Sequence, residues 1–164
     1  MPVNIPEQLF LDQARSDYEI YLCLSQRNIC HRLHYLQMCT EKLAKAYLWR
    51  GGFSPGLKHN KFEQFLRALA ARPDFHQMFG YKNPRRFGLL WPAILGLATR
   101  LQNLAPAGGN NGPNPEYPWP PNLPTNGPLS YNFPEWKDWI ETTPGRRLKI
   151  FVENLLQNYL KYFP

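Results

Sequence analysis

The chain has 164 residues, of which 43% are hydrophobic and 19% charged, with a net charge of +7. That length suits a single domain with one core, and the apolar fraction is too high for a disordered chain. Nowhere does an apolar run approach the roughly 20 residues that span a bilayer, so a membrane protein is not expected.

The N-terminal stretch MPVNIPEQLFLDQ has neither a basic nor an apolar leader region, which argues against a signal peptide. Cys23, Cys30 and Cys39 are an odd, sparse set without C-x-x-C spacing. They read as reduced thiols and point to a cytoplasmic protein.

The first predicted helix runs from about Glu7 to Gln26 and opens on Pro6, a residue suited to a first helical turn. Phe10, Ala14, Asp17, Tyr21 and Leu24 recur at spacings of 4, 3, 4 and 3 and so share one face. Asp17 is a carboxylate in an otherwise apolar stripe, where it needs a partner or a route to water.

The second predicted helix runs from about Asn28 to Trp49 and stops at Gly51-Gly52. Ile29, Leu33, Leu36, Thr40, Leu43 and Tyr47 form one stripe; His31, His34, Met38, Glu41 and Lys45 form another. The two are offset by about 200°. A helix that is semi-apolar on both sides belongs at the centre of a bundle, with neighbours on both flanks.

A third helix is expected over about Asn60–Ala71, with Phe62, Phe65, Leu66 and Leu69 on its apolar face, and a short helical turn around Phe75–Phe79. A fourth runs from about Pro84 to Leu104, with a kink or break predicted at Pro92 and Gly96. Residues 105–134 hold 9 Pro and 4 Gly, too many for regular structure. The interleaved aromatics predict an extended strap, in which residues 113–136 pack Tyr117, Trp119, Tyr131 and Trp136 on the helices, with a short strand at Leu129–Phe133. The last helix starts near Gly145 and carries the stripe Leu148, Phe151, Val152, Leu155, Leu156 and Tyr159. The fold class is therefore an all-α antiparallel bundle of four to five helices, with a proline-rich strap before the last one.

The charge is unevenly placed. Residues 51–104 hold 8 basic and 2 acidic side chains, or +6 of the net +7. Lys58, Lys61, Lys82, Arg85 and Arg86 are expected to form a basic face for phosphate backbones or an acidic partner. Trp91, Trp119, Trp136 and Trp139 read either as a base-stacking surface or as the clamp of the strap. Phosphate-loop, dinucleotide, zinc-protease and nucleophile-elbow motifs are absent from the sequence, and no cofactor or metal is expected. His31 and His34 could share zinc with Cys30 or His59, but no second ligand pair at standard spacing supports that.

The segments ARSDYEIYLCL, CHRLHYLQMCTEKLAKAYL and LKHNKFEQFLRAL, and the pattern Thr40-Glu41-Lys42 to Lys45-Ala46, resemble the HEPN family of small prokaryotic α-helical domains. EYPWP and GRRLKIFVENLL resemble the C-terminal strap and final helix of some members. The resemblance implies a four- to five-helix bundle that forms a homodimer or engages a partner protein. It further implies a role in toxin–antitoxin or antiviral defence systems, acting on RNA or a nucleotide, in many members as a metal-independent endoribonuclease. Active members carry an Arg and a His separated by four to six residues near the start of a late helix.

Here the last helix has Arg146 and Arg147 but no histidine, and the fourth has Arg85, Arg86 and Arg100 but no histidine. Arg27 and His34 fit the spacing, on the second helix instead. Two readings of the second stripe follow. In one, Arg27 and His34 are a catalytic pair. In the other, Asp17, His34, Glu41 and Lys45 form a buried polar network that fixes how the first two helices pack. A non-catalytic interaction module is the alternative function.

Overall fold

The computed structural model describes residues 5–56, 61–104, 113–119 and 124–164. Six α-helices account for most of them: α1 (Ile5–Cys23), α2 (Ile29–Arg50), α3 (Phe62–Leu69), α4 (Phe75–Met78), α5 (Pro84–Gln102) and α6 (Thr143–Tyr162). Two single turns of 3-10 helix, Pro134–Trp136 and Trp139–Glu141, lead into α6. The protein is all-α, as its periodicity predicts.

Cross-helix contacts fix the directions. Glu7 pairs with Arg50, Asp17 with Lys42, and Tyr21 faces Arg32. Numbers that rise along α1 fall along α2, so the two form an antiparallel hairpin. Tyr18 Oη donates to Glu153 Oε1 at 2.8 Å and Arg15 Nε to the Leu156 carbonyl at 3.2 Å, so α6 also runs antiparallel to α1.

Besides α1, helix α2 packs against α3, α5 and α6. Its first stripe is buried at Leu33, Leu36, Thr40 and Leu43. Its second stripe is graded: His31 is exposed, His34 and Met38 are half-buried, and Glu41 and Lys45 are buried. The helix therefore sinks into the molecule toward its C-terminal half. Gln37 locks it to α5 by donating to the carbonyls of Leu101 and Gln102 at 3.0 and 2.9 Å.

Aromatics fill the space between α4, α5 and α6. Phe79 stacks on Phe151 with ring centres 4.4 Å apart, and Phe75, Phe87 and Trp91 close around them edge-on or tilted. Such offset and edge-to-face pairs are the arrangements that ring quadrupoles favour.

Three local expectations change. Helix α5 is continuous through Pro92 and Gly96. Proline leaves the Gly88 carbonyl without its helical donor, but Gly88 and Pro92 both lie on the exposed face, where water can take that role. The strand expected at Leu129–Phe133 is absent: residues 128–130 form a turn, and the extended pairing among the described residues is one antiparallel bridge between Trp119 and Asn126. In the strap, Trp119, Phe133 and Trp136 are buried and Tyr131 packs on Trp119 and Phe133. Tyr117 is 55% exposed. The Asn114 side chain bends the chain there by accepting from the backbone N–H groups of Glu116 and Tyr117, turning that ring outward.

Candidate functional site

Arg27 and His34 are not brought together by a helix. Arg27 is exposed in the turn before α2, its N–H bonded to the Leu24 carbonyl, and Asn28 stands at the N-cap position of the helix that follows without a side-chain capping bond. The relation that would put residues seven apart on one face therefore does not hold for this pair. The His34 ring lies edge-on to Tyr35, and its Nδ1 is shielded from water with no hydrogen-bond partner. Burial lowers its pKa; Glu116 raises it in smaller measure, Lys42 lowers it and Asp17 raises it.

The expected polar network separates into two ion pairs. Asp17 Oδ2 lies 2.6 Å from Lys42 Nζ, and Gln13 donates to Asp17 Oδ1 at 3.2 Å. Glu41 and Lys45 pair within α2 at 2.5 Å, both nearly buried. Lys42, which the stripe pattern left out, is the residue that holds Asp17. It was legible in principle, since an α2 lysine stem can reach from the flank of the stripe to a buried carboxylate.

The expected basic face also divides. Lys82, Arg85 and Arg86 cluster at the start of α5, all exposed, and none forms an ion pair among the described residues. Asn83 Oδ1 caps that helix by accepting from the N–H groups of Arg85 and Arg86. Beside them the Arg147 guanidinium stacks on the Tyr81 ring at 4.4 Å and donates to the carbonyls of Phe79 and Gly80. Arg147 thus extends the positive surface from α6, a contribution that a scan of neighbouring sequence positions misses.

Lys61 belongs elsewhere. It precedes α3, where the Glu63 N–H donates to Gln102 Oε1 and Glu63 accepts from Thr99. Those contacts put Lys61 beside the C-terminal end of α5, about 25 Å along the helix from Arg85. Lys58, like His59, lies outside the described residues.

Four tryptophans pack within the fold. Trp119, Trp136 and Trp139 are buried, and Trp91 packs on Phe75, Phe79 and Phe87. The cysteines are free thiols, with Cys30 and Cys39 buried and Cys23 exposed. Among the described residues, no group of three His, Cys, Asp or Glu side chains is placed to hold a metal ion, and no helix is long and apolar enough to cross a membrane.

Two open clefts border the strap, one against α5 and one against the start of α2. One, about 680 Å³, is lined by Ala93, Gly96, Arg100, Glu135, Asp138 and Trp139 among others. The other, about 590 Å³, is lined by Ile29, Arg32, Asn132, Pro134 and Lys137.

The fold and this surface define an all-α helical protein with a concentrated basic end. Comparison with protein-family models, with curated proteins and with solved structures finds no match.

Proposed function

We propose that the protein is an RNA-binding helical domain that holds the phosphate backbone at the basic end formed by Lys82, Arg85 and Arg86. The observation that carries this reading is that three exposed cations converge on one helix start with no carboxylate paired to them. Uncompensated cations on a surface attract polyanions through counterion release. The sequence resemblance to HEPN domains favours RNA over other polyanions, and a place in a prokaryotic defence or toxin–antitoxin system is part of the same proposal. Binding without cleavage fits best, because Arg27 stands in an exposed turn while His34 Nδ1 is buried.

The test is fluorescence anisotropy with a labelled single-stranded RNA at low salt. Arg85→Glu with Arg86→Glu should weaken binding for every RNA sequence while the helical circular dichroism stays unchanged. Wild-type protein that fails to bind, or a double variant that binds as tightly, would overturn the reading.

A second reading rests on a different observation. Leu89, 87% exposed, lies on the outer face of α5 with Ala93 and Gly96, next to the larger cleft. An exposed apolar strip of this kind suits contact with another protein chain. Self-association measured by sedimentation, and its loss in Leu89→Asp, would favour the interaction module.

A further inference from the structure

The second cleft lies between the start of α2 and the strap, away from the proposed RNA surface. It shares Pro134 with the larger cleft, whose Arg100 guanidinium lies 5.5 Å from the Trp136 ring. Arg85 and Arg100 are fifteen residues apart, about 22 Å along the helix. The two surfaces are therefore separate.

Its lining is chemically one-sided. Arg32 and Lys137 bring two cations, Asn132 an amide, and Ile29 and Pro134 apolar walls; no carboxylate is among the described lining residues. Neither cation forms an ion pair among the described residues. Arg32 is held in place: its guanidinium lies over the Tyr21 ring at 5.6 Å, and Tyr21 is itself buried. Arg32 Nε is shielded from water and has no hydrogen-bond partner.

The shielded Nε does not open on the cleft and the Tyr21 hydroxyl already engages the guanidinium, which leaves the remaining terminal N–H groups for a ligand; the planar fork of Arg suits a phosphate or carboxylate better than Lys does. Ile29 is the first residue of α2; the Asn28 side chain makes no capping bond there, and its carbonyl accepts from the His31 N–H. The helix dipole there adds to the positive potential. A volume near 590 Å³ lies within the roughly 300–1,000 Å³ of small-molecule sites. It is large enough for a ligand the size of a mononucleotide.

We infer that the cleft between the start of α2 and the Asn132–Lys137 segment binds the phosphate group of a small phosphorylated ligand. Arg32 and Lys137 serve as charged donors, Asn132 as a neutral one, and Ile29 and Pro134 flank the non-phosphate part. The Pro134–Trp136 turn carries Pro134 on one side of the buried Trp136 and Lys137 on the other.

The experiment is calorimetric titration of the full chain with 5′-AMP, with adenosine, and with inorganic phosphate. AMP should bind and inorganic phosphate should compete with it, while adenosine alone should be much weaker. Arg32→Met and Lys137→Met should each weaken AMP by about 10- to 100-fold, the loss expected for one charge-assisted hydrogen bond. Lys137 is exposed, so its variant tests the site even if Arg32→Met unfolds. Arg85→Glu with Arg86→Glu should leave AMP binding unchanged. The inference is overturned if AMP and phosphate do not bind, or if Lys137→Met binds AMP as well as wild type does. It is equally overturned if Arg32 and Lys137 matter only for long RNA, because the cleft would then be part of an RNA track.

Discussion

Lys42 Nζ lies 2.6 Å from Asp17 Oδ2, with the aspartate side chain 6% and the lysine side chain 20% exposed. This ion pair joins α1 to α2 at mid-height. It answers the question a carboxylate in an apolar stripe poses: the charge is kept because a lysine from the neighbouring helix reaches it.

Removing one partner should hurt more than removing both. Asp17→Ala leaves Lys42 facing an apolar helix and should destabilise by about 1–3 kcal/mol, less than a fully buried orphan because Lys42 keeps a path to water. Asp17→Leu combined with Lys42→Met should recover much of that loss. Urea denaturation of the two variants measures it, and equal losses would mean that the pair is not coupled.

Gly145 and Gly96 should respond oppositely to alanine. A Cβ on Gly145 would collide with the Trp139 carbonyl oxygen. That close approach is set by Thr142, which donates to the Trp139 carbonyl and accepts from the Gly145 N–H. Gly145→Ala should therefore destabilise by at least about 1–3 kcal/mol through overpacking. Gly96 is exposed inside α5 with nothing near its Cβ position, so Gly96→Ala should stabilise by about 0.5–1 kcal/mol. Thermal melts of the two variants should move in opposite directions.

Stability should fall on mild acidification because of His34. Burial lowers its pKa below the ordinary 6.5. As pH drops through about 6.5, the unfolded chain takes up the proton before the folded one does, so the unfolded state gains. His34 thus contributes stability above about pH 6.5 that is lost below it. Glu63 and Asp74, whose pKa values are lowered by hydrogen bonds from Arg67 and Arg72, follow the carboxylate rule: their contribution is present above their ordinary values and lost in stronger acid. Between pH 7.5 and 5.5 the melting temperature should fall, and fall less in His34→Gln. Parallel curves for the two proteins would rule His34 out as the source.

RNA affinity should carry a salt signature set by the number of cations. If Lys82, Arg85 and Arg86 each neutralise one phosphate of a single strand, log K should fall with log salt at a slope of about −2. Arg85→Gln with Arg86→Gln should reduce the slope to about −0.7. A slope unchanged by these substitutions would place the contacts elsewhere on the surface.

The helices were legible because each buries a periodic face. The 3- and 4-residue spacing of Leu33, Leu36, Thr40 and Leu43 marks α2, and that of Leu148, Phe151, Val152 and Leu155 marks α6; all eight are buried. Two apolar sides predicted the central position of α2, since a helix with neighbours on several sides can leave no strongly polar back. Gly51 and Pro84 marked a helix end and a helix start because turn geometry and the fixed φ of proline are local properties.

What the sequence could not decide were relations between residues far apart along the chain. Periodicity placed Asp17, His34 and Glu41 on their stripes, but only the packing of α1 on α2 gave Asp17 to Lys42 and left His34 Nδ1 alone. Charge counting placed +6 in residues 51–104. The length of α5 then set Lys61 and Arg85 at opposite ends, while the fold brought Arg147 onto Tyr81. The cleft of Arg32 and Lys137 joins residues more than a hundred positions apart, with the strap turning back over the start of α2. Local spacing determines which face a side chain occupies, because the helix repeat is fixed by the backbone. Which side chain it meets there depends on how separate helices close on one another, and that is a property of the whole core.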